Sequence, residues 1–296
     1  MSVLEELQQA TAHAVGHAGP AVVGLRFGWR PASGVVIATD RVLTCAHSVR
    51  GDAVTAVFGD GRRVQGRPAA IDAAGDLAVV EVETGDAPVI SWERPEPELG
   101  TAVFALARVG DGGLRVTSGA VSALGRSFRG PRGRRIAGSV EHTAAVARGS
   151  AGGPLVDAQG ALLGLNTIRL DGGLVLALAA DSDLHARAEA LARGEAPARR
   201  SLGVGVVSSR AARRMRRAVG LGERDGLLVR EVHGAGPAAT AGVEPGDLIV
   251  AAAGRPVASI DDLYAALDAV ADGAGLALGL VRGESEREVV VTPVEA

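Results

Sequence analysis

From residue 21 onward the chain is cut into short apolar runs, nearly all closed by Gly, Asp-Gly or Pro. They cover residues 21–25, 34–38, 42–44, 54–58, 78–82, 102–107, 114–122, 155–156, 162–166 and 174–179. Such runs are short for helices and suit strands, so the pattern predicts an all-β barrel or sandwich as far as about residue 180. Helices are expected on either side. Val3, Leu4, Leu7, Ala10, Ala14 and Val15 recur at helical spacing after the cap candidate Ser2, and this amphipathic helix should dock on the domain behind it. Residues 181–193 set Leu184, Ala188 and Leu191 on one side and stop at Gly194.

The polar stretch 194–200, which contains Pro197, is the expected domain boundary. Beyond it, strands are expected at 202–207, 227–231, 248–252, 276–282 and 288–294. Helices are expected at 210–219, 238–241 and, after the cap candidate Ser259, at 260–270. The plan is an N-terminal helix over 1–18, an all-β domain over 19–193, a linker over 194–200 and a small α+β module over 201–296. With 47% apolar but only 2% aromatic residues, the cores must be aliphatic.

Several function classes drop out. A net charge of -3 gives no reason to expect nucleic acid, and Arg213-Arg214-Met215-Arg216-Arg217 reads as a solvated helix face. The single cysteine, Cys45, excludes an internal disulfide, suits a reducing compartment and reads as a small core hydrophobe. Neither a basic-then-apolar leader nor an apolar run of about 18 residues is found. A cytoplasmic protein is the plain expectation, with export or anchoring left open for a longer form. The histidines at 13, 17, 142, 185 and 233 lack the partners of a metal motif, and His13 and His17 read as a solvated helix face; no cofactor or metal is expected.

Three segments carry chemistry. In Val42-Leu43-Thr44-Cys45-Ala46-His47 an apolar strand runs into a histidine, and in Gly75-Asp76-Leu77-Ala78-Val79 an acid precedes an apolar strand. In Gly149-Ser150-Ala151-Gly152-Gly153-Pro154-Leu155 a bend of small residues, with unshielded amides, enters a buried strand. Alone, the histidine reads as a satisfied core residue and the acid as a turn residue. Together, in this order, they match the chain order of a chymotrypsin-type triad.

These segments, with Val49 and Gly164-Leu165-Asn166-Thr167, resemble the trypsin-like serine proteases of the HtrA (Deg) type, which carry a C-terminal PDZ domain. The matching family segments are Thr-x-x-His-Val, Asp-Leu-Ala-Val, Gly-Asn-Ser-Gly-Gly-Pro-Leu and Gly-Ile-Asn-Thr. The resemblance implies a double β-barrel of chymotrypsin type. It assigns His47 as general base, Asp76 as its orienting partner and the amides of Gly149 and Ala151 as the oxyanion hole. It walls the substrate pocket with Ala145, Val146 and Ala147 and with Leu174, Leu176, Ala177 and Leu178. That lining implies a small or medium apolar residue before the scissile bond.

Two departures matter. Position 151, the family's nucleophile, is alanine, and Arg148 stands where the family has proline. Ser150 is one residue out of place to serve as nucleophile. One reading is that the natural residue at 151 is serine and this chain holds an inactive form, which the retention of His47 and Asp76 favours. The other is a natural pseudoprotease acting as a peptide-binding or chaperone-like protein.

In the second domain, Ser201-Leu202-Gly203-Val204 resembles the carboxylate-binding loop of PDZ domains. Gly242-Val243-Glu244-Pro245-Gly246-Asp247-Leu248-Ile249 resembles the HtrA-type PDZ core. The resemblance implies peptide binding along Leu202, Gly203, Val204, Gly205 and Val206, with Ile260, Leu263 and Leu267 facing groove or core. Expected partners are protein or peptide substrates and PDZ peptide ligands. A homotrimer is an expectation of the resemblance alone, because the segment before the barrel lacks the aromatic residues through which family members commonly associate.

Overall fold

A computed structural model describes residues 2–93, 96–109, 113–130, 134–197, 200–271 and 273–295. Two compact units result, Met1–Pro197 and Ala198–Ala296, and the division falls within the expected linker, whose residues 198 and 199 lie outside the described residues.

The first unit opens with α1 (Val3–Ala18), capped by a reciprocal pair: Ser2 accepts from the Glu5 amide and Glu5 accepts from the Ser2 amide. Its docking differs from expectation. Ala14 and Ala18 are its buried residues, whereas Val3 and Leu4 are 80% and 77% exposed, so small side chains near the helix end do the docking.

Strands β1 (Val22–Phe27), β2 (Arg30–Ala38), β3 (Arg41–Cys45), β4 (Val54–Val57), β5 (Arg63–Asp72) and β6 (Leu77–Glu81) close a barrel in the order β1-β2-β3-β6-β5-β4. Strands β7 (Ala102–Val109), β8 (Gly113–Arg129), β9 (Arg135–His142), β10 (Pro154–Val156), β11 (Leu162–Arg169) and β12 (Val175–Ala179) close a second, β10-β11-β12-β9-β8-β7. All neighbours pair antiparallel, which is the double barrel that the resemblance implies. Strands β5 and β9 fall outside the apolar runs, and β5 alternates half-buried with exposed residues along its first half. One aliphatic cluster joins Val35, Leu43 and Leu77 of the first barrel to Leu106, Leu165 and Leu178 of the second. Leu184, Ala188 and Leu191 of α2 (Ser182–Ala192) belong to the same cluster. Each fully buried Leu or Val there contributes about 2 kcal/mol, so this shared core fixes the seam on which the site lies.

The second unit comprises β13 (Arg200–Ser201), β14 (Val204–Val207), α3 (Ser209–Ala218), β15 (Leu227–Val232), α4 (Pro237–Thr240), β16 (Leu248–Ala252), β17 (Arg255–Pro256), α5 (Ile260–Asp268), β18 (Leu276–Arg282), β19 (Ser285–Val291) and β20 (Val294–Glu295). Its main sheet runs β14-β15-β16-β18-β19, which leaves β14 at an edge. The arginine run on α3 is not a uniformly solvated face. Arg216 is buried and donates to the carbonyls of Gly222 and Gly283, while Arg213 and Arg217 pair with Asp225 and Glu223. Asp247, in the segment that resembles the PDZ core, is fully buried against Arg282, with N–O distances of 2.7 and 2.9 Å, and accepts from the Glu244 amide. Burial alone would push its carboxyl up, but the guanidinium and the amide outweigh burial and hold it below the usual carboxylate range.

Candidate active site

The end of β3 delivers His47 into a short 3-10 turn, and Asp76 stands immediately before β6, the partner of β3 in the barrel. Asp76 takes a left-handed backbone conformation, φ 58°, which Asp tolerates better than most residues. Its carboxylate, 2% exposed, accepts from the His47 amide at 2.9 Å and from His47 Nδ1 at 3.0 and 2.9 Å. This holds the proton on Nδ1 and leaves Nε2 as the basic nitrogen, with no hydrogen-bond partner among the described residues. Thr167 of β11 donates its hydroxyl to Asp76 Oδ2 at 2.7 Å and so ties the relay across to the second barrel. The residue stands in the motif Gly164-Leu165-Asn166-Thr167, but its reach to Asp76 comes from the packing of β11 on the first barrel, a contact between residues 91 apart in sequence.

The bend 145–153 is held from several directions. The Ser33 hydroxyl lies 3.0 Å from the Gly149 carbonyl, and the Ser33 amide donates to the Ala151 carbonyl at 2.9 Å. Gly152 donates to the Asn166 carbonyl at 2.8 Å, and Asn166 returns bonds from its amide and its Nδ2 to the Gly153 carbonyl, both at 2.9 Å. Gly149 and Gly152 have φ of 90° and 84°. A Cβ at Gly152 would fall 2.2 Å from the Ser33 carbonyl oxygen and 2.3 Å from Thr44 Oγ1, so this position admits only glycine. Within this frame the amides of Gly149 and Ala151 donate to nothing among the described residues. Residue 151 ends in a methyl group, and Ser150 is buried beneath the bend without a hydrogen bond to His47.

His142, at the end of β9, supports the same frame. Its Nε2 donates to Asn166 Oδ1 at 2.8 Å, a direction fixed because Asn166 Nδ2 is committed to Gly153. The ring is fully buried and Nδ1 has no partner among the described residues; burial is the main cause that pulls its pKa from 6.5 to about 4, against the Asn166 bond.

The predicted substrate-pocket residues separate. Ala145, Val146 and Ala147 line a cavity of about 90 Å³, whose other walls include Ala105, Leu106 and Ala107 of β7, Val116 and Thr117 of β8, and Ser150. Leu176, Ala177 and Leu178 are instead buried in β12, and Leu174 is half-buried just before it. The strand pairs on both sides, with β9 and β11, and its alternate side chains are taken up by packing. In the second unit Leu202 is buried, the Gly203 amide donates to Ser201 Oγ at 3.1 Å, and Val204, Gly205 and Val206 lie half-buried on the edge strand β14. Ile260 is half-buried, whereas Leu263 and Leu267 belong to the domain core, one of the two placements expected for them, since helix α5 turns them inward with the other apolar residues.

Cys45, His47 and Asp76 bring sulfur, nitrogen and oxygen donors within 4.8 Å of one another, the arrangement among the described residues that could ligate a metal. Its donors are already committed. Both Asp76 oxygens accept hydrogen bonds, and burial, reinforced by the Asp76 charge, pushes the Cys45 thiol well up and keeps it protonated. The set therefore fits an orienting relay better than a metal cage.

Two barrels that meet at a His–Asp pair and a glycine bend define a trypsin-like peptidase domain. Residues 32–165 match the trypsin-like peptidase domain family and residues 201–292 the PDZ domain family. The chain is 32% identical over 277 residues to the putative serine protease HhoB of Synechocystis, covering 88% of this chain and 65% of the relative. It is 29% identical over 265 residues to the periplasmic serine endoprotease DegP of Escherichia coli K12, with 84% and 54% covered. The solved structure of the HtrA-type protease AlgW with a tripeptide matches with a TM-score of 0.63 and 26% identity, covering 97% of each chain. The chain thus carries a trypsin-like peptidase domain followed by a PDZ domain, with serine proteases of the HtrA and DegP type among its homologues and structural neighbours. It spans 65% and 54% of the length of the two curated relatives. DegP is named as periplasmic, so the cytoplasmic expectation finds no support there; no described helix is long and apolar enough to cross a membrane.

Proposed function

We propose that the first unit carries an endopeptidase site for unfolded or regulatory protein segments with a small apolar residue before the cut bond. With Ala151 the chain binds such segments without cutting them. The observation that carries this reading is the complete His47–Asp76–Thr167 relay beside a bend whose candidate oxyanion amides remain available.

With serine at 151, Oγ would attack the scissile carbonyl carbon while His47 Nε2 takes the hydroxyl proton, and Asp76 would offset the imidazolium charge. The amides of Gly149 and residue 151 would hold the oxyanion, and Nε2 would then return the proton to the leaving amine. Water would release the acyl group by the same exchange. A methyl group at 151 forms no acyl-enzyme, so recognition persists without turnover. In the second unit, the edge strand β14 offers unpaired backbone groups to which an extended peptide can add as a further strand.

Replacing Ala151 by Ser is expected to bring hydrolysis of peptides with Val, Ala or Leu before the cut, and His47→Ala in that background to remove it. Cleavage that survives loss of His47 would sink the assignment. A second reading, a natural peptide-binding or chaperone-like pseudoprotease, draws on Arg148 accompanying Ala151 in the bend. It predicts that A151S folds and binds peptide yet stays without turnover.

A further inference from the structure

Four arginines from separate parts of the fold surround the bend: Arg30 at the start of β2, Arg115 in β8, Arg148 in the bend itself and Arg169 at the end of β11. All four are exposed. Each is tied to the bend by a contact or by position. Arg169 lies 3.5 Å from the Val146 carbonyl, and Arg115 lines the same cavity as Ala145, Ala147 and Ser150. Arg30 stacks 4.9 Å from the Trp29 ring centroid, and the next residue, Pro31, comes within 3.1 Å of where a Gly149 Cβ would stand.

Several arginines elsewhere in this unit are paired, as in Arg67–Glu81, Arg126–Glu141, Arg187–Asp72 and Arg193–Glu195, whereas Arg41 and Arg50 donate to backbone carbonyls. None of the four around the bend makes an ion pair among the described residues, and no carboxylate lines the shared cavity. The acid nearest to any of them in sequence is the exposed Asp171, two residues beyond Arg169. A chain of net charge -3 thus presents a local excess of positive charge where substrate would lie. Such a field attracts and retains anionic ligands. Trp29, 80% exposed in a chain with only 2% aromatic residues, adds an amphipathic contact surface on the same rim.

We propose that this rim makes the cleft selective for acidic polypeptide segments, with carboxylates on either side of the small apolar residue that the bend receives. The inference rests on the reading of the cleft as a peptide site. A polypeptide fits better than nucleic acid because the cavity that Arg115 lines is small and largely aliphatic, and Trp29 alone cannot supply a series of stacking platforms.

The test uses the full chain carrying Trp92→Phe, so that Trp29 is the single tryptophan. Three dansyl-labelled, C-terminally amidated peptides share a Val-Ala-Val centre flanked by Glu, Gln or Lys, and energy transfer from Trp29 reports binding. At about 50 mM salt the Glu peptide is expected to bind at least about tenfold more tightly than the Lys peptide. The ratio should shrink towards one at about 500 mM salt. The triple variant Arg30→Glu, Arg148→Glu, Arg169→Glu should abolish or invert the preference, with binding of the Gln peptide showing that its cleft is still formed. Equal affinities for the three peptides, or a preference that survives the triple variant, overturns acidic selectivity alone. Failure of all three peptides to bind overturns the peptide-site reading and this inference with it. A single-stranded oligonucleotide that binds more tightly than the Glu peptide reassigns the rim to nucleic acid.

Discussion

On the first-barrel side of the site, the end of β3 and the turn before β6 hold His47 and Asp76 in a relay that Thr167 completes from β11. On the second-barrel side, the bend is held as firmly, through Ser33, Asn166 and glycines at left-handed positions, yet it ends in the methyl group of Ala151. Both sides keep their positioning bonds, and only one keeps its reacting group. Positioning and reactivity are therefore separable here: the backbone frame of the bend depends on residues 33, 152, 153 and 166, and none of its bonds requires the side chain at 151.

Two substitutions probe that frame, in order of expected effect. Gly152→Ala attacks the second-barrel side directly. Its Cβ would meet the Ser33 carbonyl and Thr44 Oγ1 at 2.2 and 2.3 Å in a left-handed conformation, so a loss of at least about 3 kcal/mol of stability is expected in denaturant unfolding. An unchanged midpoint would show that the bend is looser than its bonds imply.

His142→Gln probes the support behind the bend. Folded His142 has its pKa lowered from 6.5 to about 4, so between these values the unfolded chain binds more protons than the folded one. Stability from this group is present in full above pH 6.5 and is lost as pH falls towards 4, by about 2 kcal/mol between pH 7 and pH 5. Gln can keep the bond to Asn166 and does not titrate, so the variant should flatten the pH dependence of the first unit's melting temperature. An equal slope in both proteins would place the acid sensitivity elsewhere.

What could be read in the sequence was local. His47, Asp76 and the bend each adjoin an apolar strand, and their order along the chain pointed to one site before any geometry was known. The rest depends on contacts between distant segments. Thr167 meets Asp76 only because β11 packs on the first barrel, and Ser33 supports Gly149 across 116 residues. Strand β9 pairs between β8 and β12 without a continuous apolar run, so run-finding passed over it. Leu176 and Leu178 belong to an apolar segment in either reading, and only the pairing of β12 on both sides shows that they are core. The arginine rim had no sequence signature, since its members lie in four separate segments.

The central claim is that residue 151 alone separates this site from a working one. Its most direct test is reaction of the A151S protein with a serine-directed fluorophosphonate, followed by mass spectrometry of intact protein and peptides. The predicted result is one phosphonyl adduct at residue 151 of A151S, absent from the chain with Ala151 and lost when His47→Ala is added. No adduct on a folded A151S protein, or an adduct that persists without His47, would contradict the claim.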